Sequence, residues 1–173
     1  NEQEIINVIY AGPFLSDAKK HFSKKNCGAY RLGKDLVNGS PDRQDFLKKA
    51  LGWMAEHETR NGKPQTIVGY MAQHQHDHTA LPLWTYFQNV LNWALSTFNM
   101  KKFKNIMKGL DWAKLYDLYH DKDLDVSSIE KRISELMKDV KDEIQKPQGI
   151  IPYVLIGDEH YLDLRVFSDK VKL

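Results

Sequence analysis

Hydrophobic residues recur every three or four positions along most of this chain. The clearest stretch runs from Leu83 to Phe98, where apolar side chains fall on one wide face of a helix. The residues of this face are Leu83, Trp84, Phe87, Val90, Leu91, Ala94, Leu95 and Phe98. Such spacing is typical of an amphipathic helix, because an α-helix turns once in 3.6 residues. We therefore predict an all-α or mainly α fold, an irregular multi-helix domain with no sheet larger than a hairpin.

Some polar residues mark where the predicted helices begin. Asn1 is a good N-cap, and Glu4 stands three positions later, as in a capping box. The apolar residues predicted to form the buried side of this first helix are Ile5, Ile6, Val8 and Ile9. Asp125 or Ser127 can cap the last long helix. A start on a capping residue is unusual for a whole protein, so we expect a section of a longer chain.

The last part of the sequence departs from the helical pattern. Ile150 to Ile156 and Tyr161 to Phe167 are apolar runs that fit strands as well as helices, since runs this short do not define a period. Pro152 argues against a central position for the first of these predicted strands. We predict a helical domain over residues 1–146 and a short, loosely attached tail over residues 147–173, with β-structure as one interpretation of the tail.

Composition limits the kinds of protein that this chain can be. Hydrophobic residues make up 42% of its 173 residues and charged residues 28%, which is the balance of a globular domain. Its apolar runs are much shorter than the roughly 20 residues that a membrane-spanning helix needs. No signal-peptide pattern is visible, and Cys27 is the only cysteine, so no internal disulfide can form. We expect a cytoplasmic protein without a membrane partner.

Charge is segregated along the sequence although the net formal charge is only +2. Residues 18–34 contain six lysines and arginines and no acidic residue, and we call them the first basic cluster. Lys101, Lys102, Lys104 and Lys108 form the second basic cluster, in which a helix would place three lysines on one face. Both clusters could meet DNA phosphates, and a solvated surface is the alternative. The candidate DNA-binding residues are Lys19, Lys20, Lys24, Lys25, Arg31, Lys101, Lys104 and Lys108.

Three of the seven histidines lie in one segment, which we call the histidine run: His74, His76, Asp77 and His78. Imidazole and carboxylate are good zinc ligands, and either an extended or a helical backbone would bring three of these side chains together. The spacing matches no known metal motif. We therefore interpret the run as a helix C-terminus where imidazoles cap carbonyls, with a metal site and a polar interdomain contact as alternatives.

Other features predict no chemistry in this chain. No Gly-x-Ser-x-Gly elbow and no phosphate-binding glycine loop occurs, so we assign no catalytic residue, no metal ligand and no cofactor. Tyr86 and Trp93 lie off the centre of the apolar face around Leu91, which favours a surface or interdomain contact for both.

Four sets of residues resemble one bacterial family. They are Asn1-Glu2-Gln3-Glu4-Ile5 leading to Tyr10-Ala11-Gly12-Pro13-Phe14; Leu32-Gly33-Lys34-Asp35 with Asn38-Gly39-Ser40-Pro41; His74-Gln75-His76-Asp77 with Leu83-Trp84-x-Tyr86-Phe87-Gln88; and Lys108-Gly109-Leu110-Asp111-Trp112. Together they resemble the region between the N-terminal ParB-like domain and the C-terminal HNH nuclease of GmrSD-type restriction proteins. The resemblance covers almost the whole chain.

This resemblance implies a large cytoplasmic protein that uses nucleotide hydrolysis to control the cutting of foreign, often modified, DNA. The family's Asp-Gly-Gln-Gln-Arg motif and its Cys-x-x-Cys and His-Asn-His elements do not occur in this sequence. The resemblance thus implies a helical scaffold without a catalytic centre of its own, whose partners are the flanking domains and DNA. Residues 147–173 would lead toward the nuclease domain. The alternatives are a stand-alone DNA-contact module and a metal-dependent hydrolase that uses the histidine run.

Overall fold

A computed structural model describes residues 1–140 and 143–164, and these form ten α-helices and no β-strand. The helices are α1 (Glu2–Ile9), α2 (Pro13–Phe22), α3 (Gly28–Gly33), α4 (Asp45–Arg60), α5 (Ile67–His74), α6 (Leu81–Thr97), α7 (Met100–Met107), α8 (Trp112–Tyr119), α9 (Val126–Lys138) and α10 (Ile150–Ile156). Short 3₁₀ helices span Pro41–Arg43, Pro147–Gly149 and Glu159–Leu162. The predicted mainly α fold is confirmed.

Helix α6 is the centre of the core and packs against α2, α3, α4 and α8. Its predicted apolar face is largely buried, with Trp84 and Leu95 only partly covered. Phe87 shows how this face is filled: the ring of Phe22 meets it edge-on at 5.2 Å between centroids, and Trp53 stacks on it at 5.6 Å. The pattern of apolar residues therefore identifies the main core helix.

The structure of α1 confirms the predicted N-cap, but three of the four residues predicted to be buried are exposed. Asn1 accepts a hydrogen bond from the backbone N–H of Glu4 at 3.0 Å, which completes the capping box. Ile6 is fully buried, whereas Ile5, Val8 and Ile9 are exposed by 41%, 79% and 62%. The prediction of four buried residues was wrong because α1 lies at the edge of the bundle and packs mainly against one helix, α5.

The strand interpretation of the tail is also wrong over the residues that the structure describes. Residues 150–156 form α10, and Pro152 is tolerated there because the first turn of a helix needs no backbone N–H donor. Gly157 ends this helix with a φ of 86°. The second predicted strand begins inside the 3₁₀ helix Glu159–Leu162, and its last residues, 165–167, lie outside the described part of the chain.

Residues 147–164 pack against the helical bundle. Helix α10 contacts α7 and α9, and Ile150 and Ile151 are fully buried in the common core. One isolated antiparallel bridge joins Ile144 to Leu164. The described part of the predicted tail thus belongs to the same core as the bundle and is not loosely attached.

Within residues 1–140 and 143–164, every helix is too short or too polar to cross a lipid bilayer.

Candidate functional site

The first basic cluster lies at the end of α2, in the following turn and on α3. Lys19 and Lys20 occupy the last turn of α2, where cations also stabilise the helix dipole. Lys24 and Lys25 follow in the exposed turn, and Arg31 is exposed on α3. Lys19 is partly buried, so four of these five candidate side chains are exposed to solvent.

The second basic cluster lies on α7 and just after it. Phe103, Ile106 and Met107 bury one face of α7, and the lysines occupy the exposed side. Lys104 and Lys108 line one groove of about 540 Å³, which we call the α7 groove, and Lys101 lies outside it.

A loop after α3 brings the two basic clusters close together. The ammonium of Lys104 lies 3.4 Å from the carboxylate of Asp35, which directly follows Lys34 of the first cluster. The backbone N–H of Gly109 donates to the carbonyl of Leu36 at 2.9 Å. The clusters, separate in sequence, therefore meet across residues 34–38.

The histidine run begins at the last residue of α5, so its predicted position at a helix C-terminus is confirmed. His74 contacts Asp77 at 2.7 Å between Nδ1 and Oδ2, and its ring lies 4.3 Å from the Tyr70 ring. The side-chain amide of Gln75, rather than an imidazole, donates to a carbonyl of the last turn.

The structure does not gather the whole run around one point. His76 and His78 are exposed and make no side-chain hydrogen bond to another described residue. In the described ranges, no group of three or more His, Cys, Asp or Glu side chains is arranged to hold a metal ion. That the histidine run is not a metal site stays a prediction.

A polar cluster that the sequence analysis missed lies between α4, α6 and α8, and we call it the Asp117 cluster. The carboxylate of Asp117, only 10% exposed, accepts hydrogen bonds from the hydroxyl of Tyr86 at 2.9 Å and from Nε of Arg60 at 2.9 Å. Its Oδ2 also lies 2.7 Å from Nη2 of Arg60 in an ion pair. The Nδ1 of His57 lies 3.0 Å from both carboxylate oxygens, and the amide nitrogen of Asn61 lies 3.2 Å from His57 Nε2. Both ring nitrogens of His57 thus have partners.

The environment of this cluster shifts two pKa values. Burial, together with the nearby negative charge of Asp117, raises the pKa of the Tyr86 phenol well above its ordinary value. Burial acts to lower the pKa of Arg60, but the hydrogen bond and charge of Asp117 outweigh it and the net shift is upward. The arrangement stabilises a charged Arg60 and a neutral Tyr86.

The predicted surface role of Tyr86 is therefore wrong. Its side chain is buried, with 8% exposure, because its hydroxyl turns inward to Asp117. Trp93 is partly buried and packs edge-on against Phe98 and Trp112 at 6.0 and 6.5 Å between ring centroids.

The four sets of residues that carry the family resemblance meet in two pairs. Gly12 approaches the histidine run so closely that a Cβ on it would lie 2.9 Å from the carbonyl oxygen of Gln75. Phe14 lies 6.0 Å from the His74 ring. In the second pair, a Cβ on Gly109 would lie 2.5 Å from the side-chain nitrogen of Asn38. Each pair joins segments far apart in sequence.

Comparison with known proteins gives no relative for this chain: no family model, no curated protein and no solved structure matches it.

Proposed function

We propose that this chain is a non-catalytic helical scaffold that couples the flanking domains of a nucleotide-dependent HNH restriction endonuclease, acting in cytoplasmic defence against foreign or modified DNA. The proposal rests on the resemblance described above. Its structural support is that the resembling sets meet in two close contacts between segments that flank helices, at Gly12 with Gln75 and at Gly109 with Asn38. A coupling scaffold depends on contacts that fix the relative positions of its helices, and these two contacts are of that kind.

The chemistry of the best-connected histidine also supports a structural role. His57 has a carboxylate on one ring nitrogen and an amide on the other. A general base needs a ring nitrogen within reach of its substrate, and here both nitrogens are within hydrogen-bond distance of protein groups. The Asp117 cluster therefore fits a tie between three helices better than a proton-transfer site.

The first test uses the 173-residue chain alone. We expect it neither to hydrolyse nucleoside triphosphates nor to cleave DNA, whether the DNA is modified or not. Release of inorganic phosphate and conversion of a supercoiled plasmid are the readouts. Repeated turnover in either assay, removed by a substitution within these residues, would contradict a scaffold role.

The second test examines coupling in the full-length protein encoded by the open reading frame. Gly109→Ala is expected to leave nucleotide hydrolysis intact and to reduce nucleotide-dependent DNA cleavage at least tenfold, because it disturbs the Gly109 contact with Asn38. Gly62→Ala is the matched control, since Gly62 also has a positive φ, of 87°, but has no neighbouring atom within 4 Å. Equal loss of hydrolysis and cleavage would contradict coupling, and a reading frame without flanking domains would favour a stand-alone module.

DNA contact is the second candidate function, and the shared groove of Lys104 and Lys108 favours it. Binding to phosphates releases counterions, so the log–log slope of affinity against salt for duplex DNA grows by about 0.9 for each phosphate that the protein neutralises. We expect a Lys101→Ala, Lys104→Ala, Lys108→Ala variant to have a shallower slope than the parent. The control is a triple variant of exposed lysines elsewhere, Lys63→Ala, Lys131→Ala, Lys138→Ala. Equal slopes for both variants would contradict DNA contact by the second basic cluster and leave only the scaffold role.

A further inference from the structure

A second groove, which we call the α4 groove, carries cations that the sequence analysis did not single out. It has a volume of about 700 Å³ and lies between the start of α4 and the turn at residues 109–111. Arg43, Lys48 and Lys49 line it, and all three side chains are exposed. Gly52 forms part of its wall, so the backbone of α4 is accessible there.

Three carboxylates line this groove, those of Asp45, Glu56 and Asp111, and each has a partner inside the protein. Asp111 accepts a hydrogen bond from the backbone N–H of Lys114 at 3.2 Å. Asp45 accepts a hydrogen bond from the backbone N–H of Ser40 at 2.7 Å and pairs with Arg43 at 3.3 Å. Glu56 lies 3.8 Å from Arg60. Lys48 lies 3.9 Å from the carboxylate of Glu2. Among the residues that the structure describes, Lys49 has no carboxylate within 4.0 Å. The ammonium of Lys49 is therefore available to an external anion.

The α4 groove and the α7 groove adjoin each other. Asn38 and Gly109 line both of them, and thus form the saddle where the two meet. Because Gly109 has no side chain, nothing projects from it into the saddle, and its φ of 82° is one that glycine adopts without strain. Lys48 and Lys49 line the α4 groove, and Lys104 and Lys108 line the α7 groove. Asp35 also lines the α7 groove and pairs with Lys104 at 3.4 Å, which leaves Lys108 as its lysine without a described carboxylate partner.

We infer that the two grooves together form one track for the phosphate backbone of a nucleic-acid strand. The inference rests on the DNA contact of the proposed function and extends it. It adds Lys48 and Lys49 of α4 to the residues that contact phosphates, and it adds a path across Gly109. A phosphate chain presents negative charges at regular intervals, and lysines that line two adjoining grooves can meet several of them. An acidic peptide is the main competing ligand, and the test includes it.

The test measures binding of a fluorescent single strand of about 12 nucleotides to the 173-residue chain, a length within the range of about 4–16 nucleotides covered by single-strand-binding modules. A Lys48→Ala, Lys49→Ala variant and a Lys104→Ala, Lys108→Ala variant test the two ends. We expect each to lower the log–log salt slope by about 1.4, which is two phosphates at about 0.7 each. A Lys131→Ala, Lys138→Ala variant is the control and should keep the parent slope.

The outcomes separate this inference from the broader proposal. A reduced slope for the α7 pair alone would overturn the track while leaving DNA contact by α7 intact. Unchanged slopes for both pairs would overturn the track. The duplex contact is judged separately by the Lys101→Ala, Lys104→Ala, Lys108→Ala variant, and the scaffold role by cleavage. Equal competition by polyglutamate of matched charge, or by free pyrophosphate, would also overturn the inference. Circular dichroism of each variant checks that the helices are retained.

Discussion

The hydroxyl of Tyr86 on α6 donates a hydrogen bond to Oδ1 of Asp117 on α8, at 2.9 Å. The same carboxylate binds Arg60 and contacts His57, both on α4. One side chain thus joins the central helix α6 to α4 and α8. A carboxylate this enclosed is tolerated because each oxygen has donors, which makes the tie sensitive to removal of any partner.

Replacement of this carboxylate should be costly. Asp117→Ala leaves Tyr86 and Arg60 without their acceptor, and we expect the free energy of unfolding to fall by about 2 kcal/mol, less than for a fully buried charge pair because Arg60 is partly exposed. Urea denaturation followed by tryptophan fluorescence measures the change. Asp121→Ala, in the exposed turn after α8, is the control and should cost less than about 0.5 kcal/mol. Equal effects of the two substitutions would show that the Asp117 cluster adds nothing to stability.

Alkaline pH should weaken the fold through its buried tyrosines. Burial raises the pKa of Tyr86 and of Tyr70 in the folded state, so folding favours the neutral phenols. Their stabilising contribution is therefore complete below the unfolded pKa of about 10 and is lost as pH rises above it. Tyr86→Phe should make the free energy of unfolding less steeply dependent on pH in this alkaline range. Tyr10→Phe is the control, and an unchanged slope for Tyr86→Phe would contradict the assignment.

Features set by neighbouring residues could be predicted, and features set by distant ones could not. The capping box of Asn1 and the apolar face of α6 follow from local spacing, and the structure confirms both. The Asp117 cluster joins residues from three helices, and no spacing along the chain marks them as partners. The exposure of Val8 depends on where α1 packs, and the helix at 150–156 depends on burial of Ile150 and Ile151.

The two basic clusters illustrate the same division for the candidate site. Exposure of the lysines on α7 follows from its apolar side, which the spacing of Phe103, Ile106 and Met107 indicates. The approach of Lys104 to Asp35, and the position of Asn38 and Gly109 in the walls of both grooves, depend on how α3, α4 and α7 are placed. Periodicity predicts which side of a helix is exposed but not which other helix it faces.

The contact between Gly109 and Asn38 gives a stability test with a matched control. Both Gly109 and Gly62 have a positive φ, so alanine at either position should cost about 1 kcal/mol from backbone strain. Gly109→Ala should cost about a further 0.5 kcal/mol, because its Cβ would lie 2.5 Å from Asn38 Nδ2 and this exposed side chain would have to leave its preferred rotamer. Thermal and urea unfolding of both variants measure the difference. Equal losses would show that Asn38 moves aside freely.

The last prediction concerns the packing of residues 147–164 against the bundle. A Cβ on Gly149 would overlap the backbone carbonyl of Tyr161, and that oxygen has no freedom to rotate away as a flexible side chain would. The φ of Gly149 is −80°, which any residue adopts, so the effect of Gly149→Ala would come from overlap rather than backbone strain. We expect a loss of about 2 kcal/mol, typical of overpacking, and faster hydrogen exchange in α10.

Gly157→Ala separates this effect from a general weakness of the segment. Gly157 has a φ of 86° and no neighbouring atom within 4 Å, so alanine there strains the backbone without displacing a packed element. Hydrogen exchange should therefore rise throughout residues 147–164 in Gly149→Ala but only near the end of α10 in Gly157→Ala. If both variants raised exchange equally, or if α10 already exchanged freely in the parent protein, the packing of Ile150 and Ile151 would not hold this segment on the bundle in solution.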